Sequence, residues 1–211
     1  MQPNSAEENL HVIRTLMDRA AIYRRALAPI MIGTGALGLL ASVGGLLLRA
    51  NEITVFASYW LGVAVIALIV AFVLARRQAL QDKEPFWSRP TRRVAVALSP
   101  ALLVGLIVGV LAIQQRVEGA FAVTLLVLLW LMLYGCAIHS AGFFMPKAIR
   151  RSGWVFIGGA LALLIFLVVR DTGGGTIPAP FPHLIMGAFF GVLQLVYGIY
   201  LRGSERRQNH A

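Results

Sequence analysis

Six stretches of the chain are apolar and free of Asp, Glu, Lys and Arg: Leu27–Leu48, Ile53–Ala75, Val94–Gln115, Gly119–Ala141, Gly153–Val169 and His183–Leu201. A helix needs roughly 17 to 25 such residues to cross about 30 Å of hydrocarbon. The pattern therefore predicts an all-α, polytopic membrane protein: a bundle of six transmembrane helices over residues 27–201. The fifth stretch is the shortest and is expected to stand with little tilt.

Polar positions frame that core. Residues 1–26 precede it, and within them Ser5 to Arg25 read as an amphipathic interfacial helix. Ser5 and Glu8 have capping-box spacing, while Leu10, Ile13, Met17 and Ala20 recur at helical intervals. Such a helix lies in the headgroup layer or docks a partner. Residues 202–211 form a basic tail.

The basic residues alternate from loop to loop. Of the 19 Lys and Arg, all but Arg49, Arg116 and Arg170 fall before the first stretch, in the second and fourth loops, or in the tail. Positive charge is retained on the cytoplasmic side, so both termini are expected there. Tyr23, Phe86, Trp87, Phe143, Phe144, Trp154 and Tyr200 fall near the same interface, where amphipathic rings prefer to lie. Trp130 is the exception, in mid-span.

Composition agrees with the membrane class. The chain is 58% hydrophobic and 13% charged, against roughly 25% charged in ordinary soluble domains. Its +10 formal charge sits at the ends of apolar stretches, which suits anionic lipid headgroups rather than nucleic acid. Cys136 is the single cysteine, so no intrachain disulfide and no cysteine metal set can form. The start of the chain lacks the pattern of a cleavable signal peptide. A bacterial inner (plasma) membrane is the expected location.

Arg24-Arg25, Arg92-Arg93 and Arg150-Arg151 precede the odd-numbered stretches, which end in Arg49, Arg116 and Arg170. Three repeated helical hairpins would produce this, and so would topology alone. Gly105 and Gly109 on the third stretch, and Gly187 and Gly191 on the sixth, have G-x-x-x-G spacing. The first stretch offers a small-residue face with Thr34, Gly38, Ala41, Ser42 and Gly45. Small residues let helices approach closely in lipid, within one bundle or in a homodimer.

Chemistry at depth usually needs ionisable groups, and the six stretches contain none of the four strongly charged types. Proton-coupled transport and multi-aspartate phosphotransfer are therefore disfavoured. Ser140 on the fourth stretch and His183 on the sixth resemble the placement in rhomboid-like serine proteases. Topology sets them at opposite faces, where a nucleophile and its base cannot meet. His139 and His183 are separated in the same way, which argues against haem. Cys136 and His139 share a helical face but make a weak metal pair. No catalytic, cofactor or metal residues are assigned. The polar candidates for a cavity are Pro100, Tyr134, Gln194 and Tyr197. Pro100 is expected to kink its helix and free backbone carbonyls, and Gln194 carries an amide that needs partners.

The stretches AEENLHVIRTLMDRAAIYRRALAP (Ala6 to Pro29) and LYGCAIHSAGFFMPKAIRRSGW (Leu133 to Trp154) resemble an uncharacterised family of bacterial six-helix inner-membrane proteins. The resemblance implies a membrane location and supplies no activity. Two functional readings stay open. One is a non-enzymatic accessory, anchoring or sensory subunit acting through helix contacts and a basic cytoplasmic face, with a membrane-protein partner or a second copy of itself. The other is a carrier or channel for a neutral or apolar solute.

Overall fold

Helix formation follows the apolar stretches closely, and in several places runs past them. The computed structural model describes residues 27–81, 89–115, 119–145, 147–172 and 177–209. The interfacial helix expected before residue 27 lies outside them. The described elements are α1 (Leu27–Leu47), α2 (Ile53–Gln81), α3 (Arg89–Ile113), α4 (Ala120–Ala141) and α5 (Lys147–Thr172). They continue with α6 (Phe181–Met186), a π-helical segment Gly187–Leu193, and α7 (Gln194–Asn209). The last three make one continuous sixth span. Six helices are thus long and apolar enough to cross a membrane, and no strand occurs among the described residues.

Helix ends differ from the apolar boundaries because a charge does not stop a helix. α2 carries Arg76 and Arg77 and continues to Gln81. α5 starts at Lys147 and holds Arg150 and Arg151 in its first turns. With 26 residues, α5 is the second longest of the helices and not the shortest span. Long basic side chains can carry their charge outward along such an end.

α4 is the central helix. Over half (56%) of its apolar window is buried, against 11% for α2 and for α3. Val127, Leu128 and Leu131 of α4 pack with Phe56 of α2 and Phe156 of α5 in the main core. Ile66 and Val73 of α2 and Val104 and Ile107 of α3 point outward, as lipid-facing positions must where hydrocarbon is the solvent.

Glycines set the two closest helix approaches. A Cβ on Gly153 of α5 would lie 2.8 Å from the Gly135 carbonyl of α4, and one on Gly142 would meet the Arg150 backbone. On α1, a Cβ at Gly35 would lie 2.7 Å from the Leu195 amide nitrogen, and one at Gly38 would strike the Phe190 carbonyl. The Gly187/Gly191 pair of the sixth span meets Ser42 and Leu39 of α1. The small-residue face of α1 thus packs on the sixth span, inside the bundle. Both approaches join helices of different hairpins.

α1 ends in a Schellman loop. The Ala50 amide donates to Gly45 O at 3.2 Å and the Arg49 amide to Leu46 O at 3.2 Å. Arg49 takes the left-handed position with φ 50°, where glycine is the usual residue. The loop turns the Ala50 carbonyl toward the sixth span, where it finds a partner described below.

Candidate functional site

A cavity of about 1860 Å³ opens among α1, α2, α3, α4 and the sixth span. It begins near Leu27, Gln78 and Thr91, at the end of the bundle where α2 ends and α3 begins, and reaches Trp60 and Met186. From Thr91 to Leu106 along α3 this is roughly 22 Å at 1.5 Å per residue. Among the described residues, no Asp, Glu, Lys or Arg lines it. Sites for small molecules usually measure about 300–1,000 Å³, so this one has room for a long apolar chain. One side is open to the surroundings of the bundle.

Thr34, Tyr134 and Gln194 form the polar cluster on its wall. Thr34 Oγ1 lies 2.8 Å from Gln194 Oε1, and Gln194 Nε2 lies 2.9 Å from the Tyr134 hydroxyl. Thr34 Oγ1 also reaches the Ile30 carbonyl at 2.9 Å. The three residues come from α1, α4 and the sixth span, and Gln194 is only 4% exposed. By helix rise Thr34 and Tyr134 stand about 10 Å, and Gln194 about 22 Å, in from the helix ends on the open side. A side-chain amide inside a bundle is stable where its hydrogen bonds are made, and hydroxyls from two neighbouring helices meet this one.

Local sequence explains the shape of the walls. Pro100 lacks the N–H that would bond the Val96 carbonyl. Ser99 Oγ donates to that carbonyl instead, at 3.0 Å, so the acceptor freed by the proline is already taken. Gly105 and Gly109 of α3 make room for an indole ring. Trp130 Nε1 donates to Gly105 O at 2.9 Å, and a Cβ on Gly109 would fall 2.9 Å from the same ring. The sixth span is π-helical from Gly187 to Leu193, ending where Gln194 begins. Short π segments recur at functional sites. Here the segment lets the adjacent Phe189 and Phe190 both stand 5.6 Å from Phe156, with Phe190 also 4.8 Å from Tyr134.

The cavity reaches Trp60, which belongs to a cluster of rings. Phe56, Trp60 and His183 pack with centroid distances of 4.8 to 6.2 Å, and Trp130 stacks on Phe56 at 6.4 Å. His183 is fully buried, and every polar atom it presents is used. Trp60 Nε1 donates to His183 Nδ1 at 3.2 Å, and His183 Nε2 lies 3.1 Å from the Ala50 carbonyl. An indole N–H only donates and a carbonyl only accepts, so the imidazole is the neutral tautomer with its hydrogen on Nε2. Ser42 Oγ donates to the His183 carbonyl at 2.8 Å, and the Tyr59 hydroxyl donates to Ala41 O at 2.6 Å. These bonds tie α1, α2 and the sixth span together.

Of the four polar candidates, Pro100, Tyr134 and Gln194 line the large cavity. Tyr197 does not. It borders a separate space of about 270 Å³ with Arg151 and Ser152, and its buried hydroxyl has no hydrogen-bond partner among the described residues. His139 sits at the α4–α5 turn, with Nδ1 3.4 Å from the Arg150 carbonyl and its ring against Phe143 and Trp154. Its surroundings share nothing with those of His183. Cys136 is exposed on α4. Among the described residues, no three His, Cys, Asp or Glu side chains stand close enough to hold a metal.

Sequence reasoning missed Thr34 as the partner of Gln194, and it missed the Trp60–His183 pair. The available signals were weak: Thr34 lies on the small-residue face of α1, and His183 opens an apolar stretch without a charged neighbour. No family model, no curated protein and no solved structure matches this chain.

Proposed function

We infer that this multi-pass membrane protein binds and carries an uncharged, largely apolar molecule within the bilayer. The observation that carries this reading is the charge-free cavity of about 1860 Å³ with the Thr34–Gln194–Tyr134 cluster on its wall. Apolar walls with a few fixed polar groups are what a small-molecule site needs for affinity and orientation. An accessory, anchoring or sensory role was expected from missing chemistry, whereas the cavity is positive ground for the carrier. The reading is non-enzymatic: the described residues of the cavity wall offer hydroxyls, amides and indoles, with no charged group among them.

The basic loops and both termini are assigned to the cytoplasmic face of a bacterial inner membrane, against anionic headgroups. The cavity then opens toward the cytoplasmic side, and Trp60 and His183 lie toward the outer one. Native mass spectrometry of the full chain released from membranes tests the binding claim. Retained uncharged lipid adducts, lost when Ala101→Trp fills the cavity, would support it. A chain that emerges bare, with wild type and variant alike, would end it.

A further inference from the structure

Hydrogen-bond accounting around Gln194 specifies the occupant more closely than the cavity's size does. We propose that the cavity holds an uncharged lipid-like molecule whose head carries a hydrogen-bond acceptor, such as a ketone, ester, quinone or hydroxyl oxygen, bound by the Gln194 amide; this rests on the reading of the cavity as a ligand site.

Thr34 and Tyr134 each bring one hydroxyl hydrogen, and Gln194 brings two on its amide. With Oε1 toward Thr34, one Gln194 N–H goes to Tyr134. The second amide hydrogen and the Tyr134 hydroxyl hydrogen are then left over. With the amide turned over, Tyr134 donates to Oε1, Gln194 donates to Thr34, and Thr34 donates to the Ile30 carbonyl. One amide hydrogen is still left over. In both orientations at least one Gln194 amide hydrogen has no partner within the cluster.

The other donors along the apolar part of the wall are committed. Trp60 donates to His183, Trp130 to Gly105 O and Ser99 to Val96 O. Gln78 and Thr91 stand apart, at the mouth. An N–H facing hydrocarbon without a partner is costly, and an acceptor oxygen removes that cost. An alcohol head would accept from the same N–H and could pass its own hydrogen to a spare lone pair of the cluster. A charged head would find no counter-charge on the wall.

The test uses the purified full chain in dodecyl maltoside micelles and three photoreactive probes with a diazirine at mid-chain. They are a long-chain methyl ketone, its matching secondary alcohol and the matching hydrocarbon. Labelled residues are mapped by mass spectrometry. The ketone is expected to label cavity residues such as Leu61, Leu103 and Phe190 about five- to tenfold more than the hydrocarbon, with the alcohol, which also accepts, on the ketone's side. Gln194→Met keeps the side-chain length and removes both N–H donors, so it should erase that preference. Tyr134→Phe leaves both amide hydrogens available and should retain it.

Equal cavity labelling by all three probes, or a preference that survives Gln194→Met or disappears in Tyr134→Phe, overturns the acceptor-head assignment and leaves the ligand cavity standing. No labelling of the cavity by any probe overturns both. If Gln194→Met aggregates, the ranking of the three probes on the wild-type chain decides alone.

Discussion

Trp60 and His183 fix each other across the α2–sixth span contact, with indole Nε1 3.2 Å from imidazole Nδ1. That bond requires Nδ1 to accept, so the ring hydrogen goes to Nε2 and on to the Ala50 carbonyl at 3.1 Å. His183→Phe would leave both the Trp60 N–H and the Ala50 carbonyl without a partner in a buried site. The expected loss is roughly 2–5 kcal/mol, from about 1–3 kcal/mol per unpaired buried group. Equilibrium unfolding in mixed micelles measures it. Trp60→Phe and the double variant complete the cycle, with a coupling of about 0.6–1.7 kcal/mol expected for a bond between membrane helices. Strict additivity would mean that the two rings do not act as a pair.

Glycine substitutions should sort by what surrounds them and not by sequence context. Gly38→Ala places a methyl against the Phe190 carbonyl, and Gly45→Ala places one against the His183 ring. Overpacking of this kind costs about 1–3 kcal/mol. Gly62 and Gly158 have nothing within 4 Å of the added carbon. Alanine there should be neutral or stabilise by up to about 1 kcal/mol, since it is the better helix former. Unfolding midpoints of the four single variants give the comparison. Equal losses at all four positions would contradict the α1–sixth span approach.

Topology has its own check. In a Cys136→Ala background, single cysteines at Arg89 and Thr176 should react with a membrane-impermeant maleimide from opposite sides of the membrane. Cys136 is exposed on a helix flank, so its replacement should change stability by no more than about 0.5 kcal/mol. Labelling of both positions from one compartment would remove the six-span arrangement and the cytoplasmic opening of the cavity with it.

Much of the scaffold could be read from the chain because hydrocarbon imposes a simple rule: long uncharged stretches become helices that cross it. The same rule misplaced the start of α5, since Lys147, Arg150 and Arg151 end an apolar run without ending a helix. Gln194, Tyr134 and Pro100 were legible as cavity candidates because polar groups and proline stand out in an apolar stretch. Which of them meet was not legible. That depends on the rotation of each helix, and the π segment resets the rotation of the sixth span just before Gln194. Tyr197 illustrates the loss: it lies three residues beyond Gln194, yet it reaches only the smaller space, which Gln194 also borders, and not the large cavity. Trp60 and His183 gave no periodic signal, because a ring that packs inside the bundle and a ring that faces lipid look alike in sequence.

Ser99 and Pro100 offer the sharpest test of the cavity wall's chemistry, because each explains the other. Pro100 withholds the N–H that the Val96 carbonyl expects, and the Ser99 hydroxyl supplies a replacement at 3.0 Å. Ser99→Ala alone should therefore expose an unpaired carbonyl within the membrane span and destabilise the protein by about 1–3 kcal/mol. Pro100→Ala restores the backbone donor, after which removing the hydroxyl should cost nothing measurable. The two substitutions should be strongly non-additive, with the double variant as stable as Pro100→Ala alone. Unfolding in mixed micelles reads all three. If Ser99→Ala costs the same with and without the proline, the hydroxyl serves some other bond than the one to Val96 O.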